Sequence, residues 1–158
     1  MKTNEELIHD FYTAFQNLDY TSMQNCYSAN PIFNDPVFGV LQGREVGCMW
    51  EMLCRNAKNF SLVFNSIEVD GEYNTCRWIA RYTFSKTGRP VVNKVKAYIR
   101  IQNGKITEHT DEFDLYKWSR QALGLPGILL GWSGYIKNKI RYEARERLYK
   151  FMEQENKK

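Results

Sequence analysis

No stretch of the 158-residue chain approaches the roughly 18 consecutive apolar residues that a membrane-spanning helix needs. The opening residues, Met1-Lys2-Thr3-Asn4-Glu5-Glu6, lack the apolar run of a signal peptide, so a soluble, cytoplasmic protein is expected. Histidine is scarce: His9 and His109 are the only two, and with the aspartates they form no recognised ligand spacing, so no metal site is expected. The four cysteines, Cys26, Cys48, Cys54 and Cys76, make no C-x-x-C pair. A chain of this length can do without disulfide staples, which points to reduced, buried thiols. Surplus charge is missing from most of the chain as well. Met1 to Ile136 hold 14 basic and 14 acidic residues, whereas Lys137 to Lys158 hold 8 basic against 4 acidic, so the whole +4 belongs to the last 22 residues. There Glu143, Glu146 and Glu153 interrupt Lys137, Lys139, Arg141, Arg145, Arg147 and Lys150. Such an interrupted run reads as the solvated face of a helix, and neither nucleic acid nor membrane is expected as a partner.

What the chain does have is aromatic area: 9 Phe, 10 Tyr and 4 Trp. That supply suits either a large core or a lined cavity, and composition does not choose between them. Its length fits one domain, residues 1–158, with a core over 1–118 and an extension over 119–158. Leu7, Ile8, Phe11, Phe15 and Leu18 recur at helical spacing, and Thr3 with Glu6 forms a capping-box pattern ahead of them. A shorter helical segment spans Asp19 to Tyr27, Ile32 and Phe33 read as a brief strand, and a third helix covers about Gly43 to Asn56. From Phe60 the period changes to two. Four strands are predicted at about Ser61 to Val69, Thr75 to Ser85, Pro90 to Gln102 and Lys105 to Tyr116, with turns at Asp70-Gly71, Thr87-Gly88 and Asn103-Gly104. Helices first and an antiparallel meander afterwards is the α+β pattern. Beyond it, Leu123-Gly124-Leu125-Pro126-Gly127 breaks the chain, residues 123–134 are either a mobile flap or a static connector, and Ile136 to Met152 is an amphipathic helix.

Strand parity supplies the first chemistry. Cys76, Trp78, Ala80, Tyr82 and Phe84 share one face, while Val91, Asn93, Val95, Ala97, Ile99 and Ile101 share another, so both faces point inward and Asn93 is the polar exception. The last strand resists this treatment, because both of its faces carry carboxylates.

The stretch from Phe33 to Glu45 (FNDPVFGVLQGRE) and that from Asn103 to Trp118 (NGKITEHTDEFDLYKW), together with the element order, resemble the nuclear transport factor 2-like superfamily. The similarity is greatest to its SnoaL-like polyketide cyclase and ketosteroid isomerase-like branch. The resemblance covers about Glu5 to Trp118. It implies a cone-shaped curved antiparallel sheet wrapped around N-terminal helices, with an appended C-terminal helix, and a homodimer formed through the outer sheet surface. Asp35 aligns with the proton-shuttling aspartate of ketosteroid isomerases. The oxyanion donors of that site do not carry over, since Phe11 and Ala97 occupy their places. Asp111 aligns with one catalytic aspartate of limonene-type epoxide hydrolases and supports an inward-facing His109, Asp111 and Phe113. Trp78 and Ala80 replace the other two members of that triad, which argues against epoxide hydrolysis.

The candidate catalytic residues are therefore Asp35, His109 and Asp111. A carboxylate in an apolar cavity has its pKa raised toward the range of a general base. His109 and Asp111, two apart on a strand, share a face with Cα atoms about 6 to 7 Å apart. Trp50, Trp78, Tyr82, Phe84, Asn93, Phe113 and Trp118 are candidates for the cavity wall. Two functions remain open. One is an isomerase, cyclase or dehydratase that needs no cofactor and acts on a small, largely apolar, oxygenated molecule. The other is a protein of the same fold that only holds such a ligand, as the missing oxyanion donors would allow.

Overall fold

The computed structural model describes residues 1–158. Thr3 and Glu6 exchange side-chain and backbone hydrogen bonds as the pattern predicts, the Thr3 amide donating to Glu6 Oε2 at 2.7 Å and the Glu6 amide to Thr3 Oγ1 at 3.1 Å. They open α1 (Asn4–Gln16), which buries Leu7, Ile8, Phe11 and Phe15 and also Tyr12. After α2 (Tyr20–Asn25), the chain runs through β1 (Tyr27–Asp35), β2 (Gly39–Gln42) and α3 (Arg44–Asn56). The brief strand expected at Ile32 and Phe33 is thus nine residues long, and Tyr27 belongs to it rather than to the preceding helix. Its irregular pairing between Tyr27 and Ile32 hides the alternation.

The meander follows as β3 (Ser61–Glu68), β4 (Asn74–Phe84), β5 (Arg89–Gln102) and β6 (Lys105–Glu112). Asn103 and Gly104, at φ 52° and 72°, make the tight β5–β6 turn, whose positive φ values suit an Asn-Gly pair. The six strands lie in the order β2-β1-β6-β5-β4-β3. All neighbours are antiparallel except β1 and β6, which run parallel and couple Phe33 to His109 and Asn34 to Thr110. The inner faces of β4 and β5 are those that parity predicts: Cys76, Trp78, Ala80, Val91, Val95, Ala97 and Ile99 are buried.

On β6, Ile101 pairs with Ile106 but Arg100 pairs with Glu108, leaving Thr107 as an extra residue. This bulge shifts the phase of the strand by one, so Ile106 before it and His109 and Asp111 after it all face inward. The ambiguous parity of the sequence has this cause.

The strand expected to reach Tyr116 ends at Glu112. Asp114 accepts a hydrogen bond from the Lys117 amide at 3.0 Å and caps a new helix, α4 (Leu115–Leu123). Residues 125–130 form a short helix, α5 (Leu125–Leu130), and α6 (Gly134–Glu155) starts at the Ser133 cap. Leu148 of α6 is fully buried in the main core with α1, α3 and the sheet, so the appended helix packs its apolar stripe onto the cone. Its basic face is not wholly solvated. Arg145 Nη1 donates to the carbonyls of Phe38 at 2.8 Å and Val40 at 3.0 Å, and Arg141 packs on Gly39.

Candidate functional site

Asp35 ends β1, and Asp111 lies one residue beyond Thr110, the partner of Asn34 on the adjacent parallel strand. Parallel pairing therefore brings two carboxylates from distant parts of the chain side by side on the inner face. Both line a cavity of about 240 Å³. Its wall also includes Trp50 from α3, Trp78 and Tyr82 from β4, Asn93 from β5, Phe113, and Trp118 from α4. Phe15, Phe33, Phe38, Phe60 and Phe84 add apolar surface, and Ile140, Ala144 and Arg147 bring α6 to the wall. His109 is absent from the wall.

Asp35 is held in the turn that follows β1. The Phe38 amide donates to its Oδ1 at 2.6 Å, and Arg141 and Arg145 clasp the carbonyls of the same turn from outside. Burial raises the Asp35 pKa to about 7, with the Phe38 amide opposing the rise and the neighbouring charge of Asp111 reinforcing it.

His109 lies behind Asp111, 1% exposed and enclosed by Phe11, Tyr27, Phe33 and Trp50. Its Nε2 is 2.9 Å from Asp111 Oδ1 and its Nδ1 is 2.7 Å from Tyr27 Oη, which receives the Trp50 indole N–H at 3.0 Å. The direction of this chain follows from its donors. Trp50 can only donate, so Tyr27 keeps a single hydrogen for Nδ1, and Nε2–H then points at Asp111 Oδ1. The reverse order would leave the Tyr27 hydrogen without an acceptor. Asp111 is thereby oriented as a hydrogen-bonded carboxylate, and His109 acts on the cavity through it.

Three further polar groups face the interior. Tyr82 Oη accepts the Trp118 indole N–H at 2.7 Å, which leaves its own hydrogen free for a ligand. The Asn93 amide lines the cavity and is exposed only in part. Trp78 Nε1 and Tyr12 Oη are buried beside each other, and neither has a hydrogen-bond partner other than the other. No group of three His, Cys, Asp or Glu is arranged to hold a metal ion. The four cysteines are buried and free. Tyr27 escaped the sequence reading because it falls before the β1 irregularity. Arg141 and Arg145 escaped it because their acceptors are backbone carbonyls about a hundred residues away.

The outlines of known proteins fit this geometry. A hypothetical protein with a ketosteroid isomerase-like fold from Catenulispora acidiphila, solved with trimethylamine, superposes at a TM-score of 0.68 with 17% identity, over 83% of this chain and 99% of that one. A proposed polyketide cyclase from Pseudomonas putida reaches 0.62 with 20% identity over 77% and 99%. IdmH from Streptomyces antibioticus, also a proposed polyketide cyclase, reaches 0.62 with 22% identity over 78% and 100%. These likenesses establish the NTF2-like cone with its curved, open six-stranded sheet. No helix is long and apolar enough to cross a membrane. None of the curated proteins matches the sequence. The SnoaL-like domain model does match, over residues 8–109, a span that begins inside α1 and closes on His109. That is well over half of the chain, and the protein belongs to the SnoaL-like domain family.

Proposed function

We propose that the protein is an acid–base enzyme acting on a small, largely apolar molecule that carries an oxygen function, in the manner of an isomerase, cyclase or dehydratase. The observation that carries this reading is Asp35: a carboxyl group with a pKa of about 7, on the wall of an aromatic cavity, beside a second carboxylate. A base with that pKa is half ionised near neutral pH and can take a proton from carbon or hydroxyl and return it. Asp111, fixed by the Tyr27–His109 chain, is close enough for its negative charge to raise the proton affinity of Asp35. The Tyr82 hydroxyl supplies a hydrogen-bond donor for an oxygen on which negative charge develops, a role left open by Phe11 and Ala97. The aromatic wall selects for apolarity and excludes water, which strengthens each of these interactions. A second copy on the outer sheet surface remains part of the proposal, and native mass spectrometry reports it directly.

The same measurement on protein purified under mild conditions looks for a retained small molecule. That molecule, together with a panel of apolar ketones, is then incubated with the protein in D2O, and deuterium uptake beside the carbonyl is followed by NMR. The expected result is exchange whose rate rises with pH through about 7, the value to which burial pushes Asp35. Asp35→Asn should slow exchange about 10²- to 10⁴-fold with the ligand still bound. Exchange at the parent rate in that variant would remove Asp35 from the mechanism. A retained ligand that neither the parent nor any variant converts would identify a binding protein.

A further inference from the structure

Helix α5 is amphipathic in the wrong direction for a globular protein. Its small residues face the fold: a Cβ on Gly127 would lie 2.1 Å from the Ser119 carbonyl oxygen, and one on Gly131 would lie 2.3 Å from Ser119 Oγ. Close approach to α4 therefore requires glycine at both places. The large apolar residues of the same segment face out. Leu125 is 66% exposed, Ile128 49%, Leu129 60%, Leu130 48%, Trp132 67% and Tyr135 72%. Tyr116 Oη, donating to the Ile128 carbonyl at 3.2 Å, fixes the helix to α4 in this orientation. A contiguous apolar surface of this extent marks an interaction site.

Charge says what covers it. From Leu115 to Tyr142 the chain has five basic residues, Lys117, Arg120, Lys137, Lys139 and Arg141, and no acidic one. The Arg120 backbone adjoins Gly127 of α5 while its exposed guanidinium lies over the Tyr116 ring, exposed Arg89 packs at Gly124 where α5 begins and donates its Nε hydrogen to the Gln121 carbonyl, and exposed Lys137 and Lys139 follow Tyr135 on the first turns of α6. A second copy docked symmetrically on this face would set these cations against their own counterparts. An anionic bilayer would meet the cations with its phosphates and the leucines, Trp132 and Tyr135 with the boundary of its acyl chains, where aromatic residues with polar tips are favoured.

Against the expectation of no membrane partner, which rested on the charge pattern of the last helix alone, we infer that the α5 surface docks the protein peripherally on an anionic lipid bilayer. Leu125, Ile128, Leu129, Leu130 and Trp132 insert at the headgroup boundary, and Arg89, Arg120, Lys137 and Lys139 engage the headgroups. The inference stands whether or not the cavity is catalytic, although Trp118 and Leu123 of α4 and Ile140 of α6 tie this surface to the cavity wall.

Vesicle flotation of the full chain tests it, using phosphatidylcholine vesicles with and without phosphatidylglycerol at low salt. The protein should float with the anionic vesicles and stay behind with phosphatidylcholine alone. Leu129→Ser combined with Trp132→Ser should abolish flotation. Lys137→Ser and Lys139→Ser should each weaken it about five-fold, as raised salt should. All four side chains are exposed, so thermal melting should be unchanged and report an intact fold. Absence of flotation, or equal binding to both lipid compositions, would overturn the assignment. So would a dimer in native mass spectrometry that Leu129→Ser with Trp132→Ser splits into monomers, because the face would then belong to a second copy.

Discussion

At the scale of the residue, Asp35 makes the stability of the fold depend on pH. Its carboxyl has a pKa of about 7 in the folded protein, against about 3.9 in an unfolded chain. Between these values the native state holds a proton that the unfolded state has released. Stability therefore falls as pH rises through about 4 to 7, by an amount on the order of 4 kcal/mol. Asp35→Asn keeps an oxygen to accept the Phe38 amide but carries no titrating group. In urea unfolding the variant should match the parent below pH 4 and exceed it by about that amount at pH 8; stability curves that stay parallel across this range would sink the argument. The sequence pattern marks the aromatic wall of β4 and β5 through strand parity, which is local, whereas Asp35 and Asp111 are picked out by the family resemblance, because both faces of the last strand carry carboxylates. It did not reveal that His109 addresses the cavity only through Asp111, since that depends on Tyr27 and Trp50 closing around the ring from two other elements.

At the scale of the element, the turn between β1 and β2 depends on α6. Arg145 binds the Phe38 and Val40 carbonyls, while the Phe38 amide binds Asp35, so one side chain stabilises the frame in which Asp35 is held. Arg145→Ala should lower stability by about 1 to 2 kcal/mol. It should also speed amide exchange at Phe38, measured site by site by NMR; unchanged protection there would mean that the clasp is idle. The elements that the sequence misplaced share one reason. Periodicity reports burial, and burial follows tertiary contact. The Thr107 bulge reverses parity in mid-strand, α4 begins where alternation seems to continue through Phe113 and Leu115, and α5 turns its apolar residues outward because only its glycines fit against Ser119. None of these has a signature inside a window of a few residues.

At the scale of the whole molecule, the single parallel pairing in the sheet has a kinetic meaning. Most neighbours in this fold are joined by short turns, so β3, β4, β5 and β6 can associate with little loss of chain entropy. Phe33 and His109, by contrast, are 76 positions apart in sequence, and their pairing closes a loop that holds α3 and the entire meander. Contacts of such separation form late in folding. Asp35 and Asp111 stand on either side of that seam, so the site should come into existence only as the last large loop closes. In stopped-flow refolding, helical circular dichroism should recover before cavity-dependent signals such as ligand binding; simultaneous recovery would show that the seam forms with the rest. With the seam closing last, the carboxylate pair is a late product of folding, and a partly folded chain lacks the paired site altogether rather than holding a loose version of it.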